Sequence, residues 1–249
     1  MKPYIGYTRL VGGFLCLHRS VLHRIPAMLI ALFLIGSPAA LSAATPVAPA
    51  AAAHVYLLRG VLNIFSLGLD EIAARLQAQG IPVTVANFVS WSSLANEAAA
   101  EYRSGRVRNI ILVGHSSGAT ALPDMVARLG QLGVPVKLAI GLDSVFRTKL
   151  AGHAERYINF YVASGAGEPV TPTKDFHGAL ENVDVQGVPG IGHLSIDKNQ
   201  IMQQKVISAI DAVVFSRHRE TFARQKQPTE AGAPEQTPGR PEAAASARD

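Results

Sequence analysis

The stretch that most constrains this chain is Gly114-His115-Ser116-Ser117-Gly118. Ahead of it runs Arg108-Asn109-Ile110-Ile111-Leu112-Val113, mostly apolar and β-branched, the pattern of a buried strand. Behind it, residues 119–130 read as a helix. Strand, sharp Gly-x-Ser-x-Gly turn and helix form the context of a nucleophile elbow. Such a turn holds its serine in a cramped backbone conformation, so the flanking residues must be small. Gly114 and Gly118 meet that demand. Ser116 then projects its hydroxyl at the carboxyl end of a sheet. The helix starting beneath it leaves main-chain N–H groups unpaired. The N–H of Ser117 is one candidate donor to an oxyanion. The same pentapeptide also occurs in ordinary strand-to-helix turns; the flanking elements give it weight here.

Around this unit, strand and helix patterns alternate. Strands are predicted over residues 54–58, 81–88, 108–113, 134–141, 157–163 and 181–188. Helices are predicted over 66–79, 92–104, 119–130 and 198–215. In the first helix Leu69, Ile72 and Leu76 share one face, and Gly80 stops it. In the last, Met202, Val206, Ile210 and Val213 form one stripe. Pro123 either kinks the helix after the elbow or marks a late start. The alternation predicts an α/β fold with a mostly parallel sheet of about six strands and helices on both faces. In open sheets of this kind, function collects at the carboxyl ends of the strands.

The two ends of the 249-residue chain read differently. Residues 1–44 open with Lys2, Arg9, Arg19 and Arg24, continue into an apolar run over 25–35, and close on Ser42-Ala43-Ala44. That order predicts a secretory signal cleaved after Ala43 or Ala44, and hence a periplasmic or secreted protein. An uncleaved N-terminal anchor is the alternative, and it would be the chain's one membrane contact. The single cysteine, Cys16, precedes the apolar run and lacks the small residue before it that a lipoprotein site needs. The cleaved chain would hold no disulfide and no cysteine-based metal site. Residues 45–53 read as an Ala/Pro-rich linker, 54–217 as the folded domain, and 218–249 as a disordered tail too poor in large apolar residues to pack. The net charge of +5 owes much to the two ends. With no basic-aromatic constellation, it gives no reason to expect nucleic acid.

A serine hydroxyl needs a base within hydrogen-bond reach and a carboxylate to orient that base. The base candidate is His193, in the Gly-rich segment Gly190-Ile191-Gly192-His193 between the last strand and the last helix. His153 and His177 read as surface residues, and His115 points away from the nucleophile by turn geometry. Two acids are open. Asp143 ends the strand after the nucleophile unit, and Glu168 follows the next strand in a Gly/Pro loop. An acid fixed at a strand end is the better held of the two, which favours Asp143.

The order Ser116, Asp143, His193 resembles that of the α/β-hydrolase superfamily. The likeness covers nearly all of residues 54–215, and is strongest to thioesterase-type and small esterase or lipase domains. It implies a second oxyanion donor just after the first strand, in Arg59-Gly60-Val61, so Gly60 and Val61 join Ser117 as candidates. The interval between Asp143 and His193 leaves little room for a lid domain. It further implies a hydrolase of carboxylic esters or thioesters working without cofactor or metal on a small-molecule or lipid substrate. Phe65, Trp91 and Phe146 either line an acyl groove or pack in the core. Export weighs against acyl-CoA or carrier-protein thioesters. An acyltransferase would use the same acyl-enzyme, and a non-catalytic binding module of the cell envelope could use the same fold.

Overall fold

The computed structural model describes residues 50–216 apart from 51 and 62. The expected signal over 1–44, linker residues 45–49 and 51, and the expected tail over 218–249 lie outside the described residues; the last linker residue, Ala53, opens the first strand.

The elements run β1 (Ala53–Arg59), α1 (Gly68–Ala78), β2 (Val83–Asn87), α2 (Trp91–Arg103), β3 (Asn109–His115), α3 (Ser117–Gln131), β4 (Val136–Leu142), β5 (Thr148–Tyr161), β6 (Val170–Asp184) and α4 (Gln200–Val214). The six strands form one sheet in the order β2-β1-β3-β4-β5-β6, and every pairing is parallel. Alternate residues of the central strands serve opposite faces. Val55, Leu57, Ile111, Val113 and Ile140 pack with Leu69, Ile72, Met202 and Val206 of α1 and α4. Tyr56, Leu58, Ile110, Leu112 and Ala139 pack with Leu94, Leu122 and Met125 of α2 and α3. Because both faces of β3 are covered, its sequence is apolar without alternation.

Local signals explain the helix ends. In α1 the buried Leu69, Ile72, Ala73 and Leu76 follow helical spacing. Gly80, at φ +77°, lets the chain turn away after it. The Asn199 side chain caps α4 by accepting from the N–H groups of Ile201 and Met202. Helix α3 begins at Ser117 and runs through Pro123, so the proline does not mark a late start.

The expected strand–helix alternation fails beyond β4. Strand β5 pairs with β4 only from Ala154 onward, beside Val136 at the amino end of β4. The chain must therefore return from the carboxyl edge within residues 143–153, and its stretch 148–153 does so as extended chain. The stretch that opens β6 runs alongside it, from Thr148 opposite Val170 to His153 opposite His177. A two-stranded ribbon thus replaces the covering helices in this half of the sheet. The predicted strands over 157–163 and 181–188 capture only the second legs of β5 and β6. Gly152 (φ +84°) and Gly178 (φ +139°) lie where the chain bends between the legs. The ribbon lies tightly on α3: a Cβ on Gly152 would stand 2.9 Å from the Val126 carbonyl oxygen.

Candidate active site

Ser116 follows β3 with φ 58° and ψ −123°, a conformation that residues with a side chain rarely adopt. Its N–H donates to the Leu142 carbonyl at 3.0 Å, tying the elbow to β4. Both flanking glycines are sterically required. A Cβ on Gly118 would lie 2.0 Å from the Leu58 carbonyl oxygen, and one on Gly114 would lie 2.5 Å from the Gly118 backbone.

The structure brings His193 and Asp143 to this serine. His193 Nε2 lies 3.0 Å from Ser116 Oγ, and His193 Nδ1 lies 2.7 Å from Asp143 Oδ2. A carboxylate only accepts, so Nδ1 carries the proton and Nε2 is left to accept the serine O–H. The His193 side chain is a quarter exposed, whereas that of Asp143 is wholly buried. Asp143 is held by backbone. Its own N–H donates to the Phe160 carbonyl at 2.7 Å, and its Oδ1 accepts from the Val162 N–H at 2.7 Å. It too has positive φ, at 57°. Glu168 does not join them: its carboxylate pairs with the exposed Arg147 at 3.2 Å. His153 and His177 are exposed on the ribbon.

The loop after β1 presses on Ser116, since a Cβ on Gly60 would lie 3.0 Å from Ser116 Cβ. The Gly60 N–H is already committed, donating to Ser66 Oγ at 3.0 Å. Of the two donors expected in this loop, that leaves Val61. Asn87 braces the loop by donating to the Gly60 carbonyl at 3.3 Å and to Asn63 Oδ1 at 2.9 Å. The Ser117 N–H opens α3, where helix geometry provides it no acceptor.

For His115 the sequence showed only that it points away from the nucleophile, not what it holds. His115 is fully buried rather than idle beside the elbow. Its Nδ1 lies 2.8 Å from Ser66 Oγ, and its Nε2 lies 2.8 Å from the His193 carbonyl oxygen. Burial lowers its pKa, which favours the neutral ring. Its partners lie 49 and 78 residues away, and only the choice of a histidine beside the nucleophile could have signalled them.

Comparison with protein-family models gave no match, and neither did comparison with curated proteins. Among solved structures, the chain is similar to a protein of Xanthomonas campestris pv. campestris provisionally assigned as a hydrolase of the alpha/beta superfamily. The two are 15% identical with a TM-score of 0.38, over 64% of this chain and 98% of the other.

The turns on the carboxyl side of the sheet, the side on which Ser116 lies, carry exposed apolar side chains that form a collar. Val61, Ile64, Phe65 and Leu67 follow β1, and all four are exposed. Val89 follows β2, Phe146 follows β4, Leu194 adjoins His193 and Ile201 opens α4. These eight are the exposed large hydrophobic side chains among the described residues, and all belong to the turns on the carboxyl side of the sheet or to the start of α4. Of the three aromatic residues considered for an acyl groove, Phe65 and Phe146 belong to this collar. Trp91 packs on the α2–α3 side of the core. Among the described residues, no group of three or more His, Cys, Asp or Glu could hold a metal ion, and no helix is long and apolar enough to cross a membrane.

Proposed function

We propose that this chain is a serine hydrolase that cleaves carboxylic esters through an acyl-enzyme on Ser116. The observation that carries the reading is the hydrogen-bonded line Ser116 Oγ, His193, Asp143 at 3.0 and 2.7 Å. In the first step His193 Nε2 takes the hydroxyl proton as Ser116 Oγ attacks the ester carbonyl. Asp143 holds the ring in the required tautomer and offsets the positive charge that forms on it. The N–H groups of Ser117 and Val61 face the developing oxyanion. The tetrahedral intermediate collapses, the ester C–O bond breaks, and the leaving alkoxide takes the proton from His193. A water molecule then attacks the acyl carbonyl with His193 as base, releasing the carboxylic acid and restoring the Ser116 hydroxyl.

The exposed apolar collar favours esters with a large apolar group over small polar ones. A thioesterase-like activity would use the same intermediate. The basic-then-apolar order of residues 1–44 supports export, which favours oxygen esters over cytoplasmic acyl thioesters. The decisive experiment is intact-mass spectrometry after treatment with a fluorophosphonate probe, followed by peptide mapping. Wild type gains one adduct at Ser116, and Ser116→Ala gains none and loses ester turnover to background. Ser117→Ala keeps the adduct, because its backbone N–H survives. An adduct at another serine of the folded protein overturns the assignment. Neither adduct nor turnover across short and long acyl esters would leave a non-catalytic binding module. Export has its own check: N-terminal sequencing should find the mature chain starting near Thr45.

A further inference from the structure

We propose that His115 is a positioning residue that couples the loop carrying His193 to the loop carrying the Val61 oxyanion donor. The inference rests on the serine-hydrolase reading for its catalytic meaning, but not for its geometry.

The hydrogen-bond chain admits one direction. A carbonyl oxygen only accepts, so His115 Nε2 must carry the proton donated to the His193 carbonyl at 2.8 Å. In the neutral ring Nδ1 is then an acceptor, and the Ser66 hydroxyl must donate to it, at 2.8 Å. That turns a lone pair of Ser66 Oγ toward the Gly60 N–H, which donates to it at 3.0 Å. Gly60 N–H, Ser66 O–H, His115 ring and His193 carbonyl therefore form one directed line. Such lines strengthen their members in a poorly solvated interior. His115 and Ser66 are both fully buried, so neither can exchange its partner for water without cost.

The line has a consequence at each end. At one end it fixes the main chain of His193, the residue whose ring must stay within reach of Ser116. At the other it fixes the Gly60 peptide, which abuts Ser116 and immediately precedes Val61. His115 is adjacent to Ser116 in the chain, so both loops are referenced to the nucleophile strand itself. Asp197 adds a second brace, with its Oδ2 accepting from the Gly68 N–H at 2.8 Å and so joining the same two loops farther out.

Hydrogen exchange in the full chain tests the coupling without relying on activity. Ser66→Ala removes the acceptor of the Gly60 N–H. Because the Ser66 hydroxyl also holds His115 Nδ1, the loss should speed exchange in the peptide containing Gly60 and, less strongly, in the peptide containing His193. His115→Asn keeps an acceptor at the Nδ1 position but cannot reach the His193 carbonyl, so it should speed exchange most in the peptide containing His193 and less strongly in the peptide containing Gly60. Each variant should lower kcat about tenfold, the equivalent of one buried hydrogen bond, with KM nearly unchanged. The double variant should lose less than the product of the two, as members of one unit do. A Ser66→Ala rise confined to the Gly60 peptide, with the His193 peptide as in wild type, overturns the proposal, and so does a uniform rise across the domain. If His115→Asn does not fold, the Ser66→Ala pattern decides alone. A wild type that shows the exchange pattern but neither probe adduct nor turnover would refute the hydrolase reading and leave the coupling standing.

Discussion

The two halves of the sheet solve the same problem by different means. From β1 to β4 each crossover holds a helix, and the central strands β1, β3 and β4 are mostly apolar and buried. In the half made by β5 and β6 the crossovers are a strand ribbon, and most of β6 is exposed or half-exposed. The first half positions Ser116 by packing, with glycines that no larger residue can replace. The second supports Asp143 by polar contacts. Asn159 Nδ2 donates to the Glu168 carbonyl at 2.9 Å and to Asn182 Oδ1 at 3.0 Å. Asn182 in turn exchanges two hydrogen bonds with the Val170 backbone. These bonds pin the turn whose start, Val162, donates to Asp143. Ser116 is thus held by a packed core, while Asp143, at the end of β4, is braced from the hydrogen-bonded margin.

The comparison can be broken most sharply at the acid. Asp143→Asn leaves the fold intact but favours the wrong His193 tautomer, and kcat should fall about 10⁴-fold. Glu168→Gln removes only an exposed ion pair and should change kcat less than about twofold. Steady-state kinetics on one ester decides between them, and the reverse ranking would move the acid role to Glu168. Next comes Gly118→Ala in the packed half. The added Cβ meets the Leu58 carbonyl at 2.0 Å, so chemical denaturation should show a loss of about 3 kcal/mol or more.

Gly167→Ala probes the polar half at its closest approach. Its Cβ would fall 1.8 Å from Asp143 Oδ1, so carboxylate or turn must shift. We expect kcat to fall about 10²-fold, as for a misplaced catalytic group, while the melting temperature changes by only a few degrees (about 3). A large loss of stability with kcat preserved would instead make this half a packed core like the other. The smallest effect belongs to Arg156→Met. Arg156 bonds Glu181 at 2.6 and 3.0 Å, but both side chains are nearly half exposed. Its loss should cost under about 1 kcal/mol. The Arg156 hydrogen bond lowers the Glu181 pKa, so the pair's contribution is present above the unfolded value and fades as pH falls through the folded one. Denaturation of wild type and variant at pH 7 and again well below the folded value should therefore converge.

The packed half was legible in the sequence because its signals are local. The apolar run Ile110 to Val113, the two elbow glycines and the stripe Leu69, Ile72, Leu76 each point to one structure. The ribbon was not legible. Pro172, Gly152 and Gly178 interrupt its strands, and exposure removes the apolar face that marks a strand. At the site, spacing left Asp143 and Glu168 both open. Asp143 rather than Glu168 meets His193, held by a positive φ and by the backbone donor from Val162, neither of which has a sequence signature. His115 escaped for a related reason. A buried polar side chain is explained by its partners, and these come from loops far along the chain.

The parallel register has one more consequence, for how the molecule can be handled. Strand β1 begins at Ala53, paired with the first residue of β3, and Ser116 follows the last. Residue 50 therefore enters the folded unit on the side of the sheet opposite the collar, about 20 Å away along a seven-residue strand. A bead, affinity tag or sensor chip coupled through that side leaves the collar pointing into free solution. The same attachment near Leu194 or Phe146 would smother it.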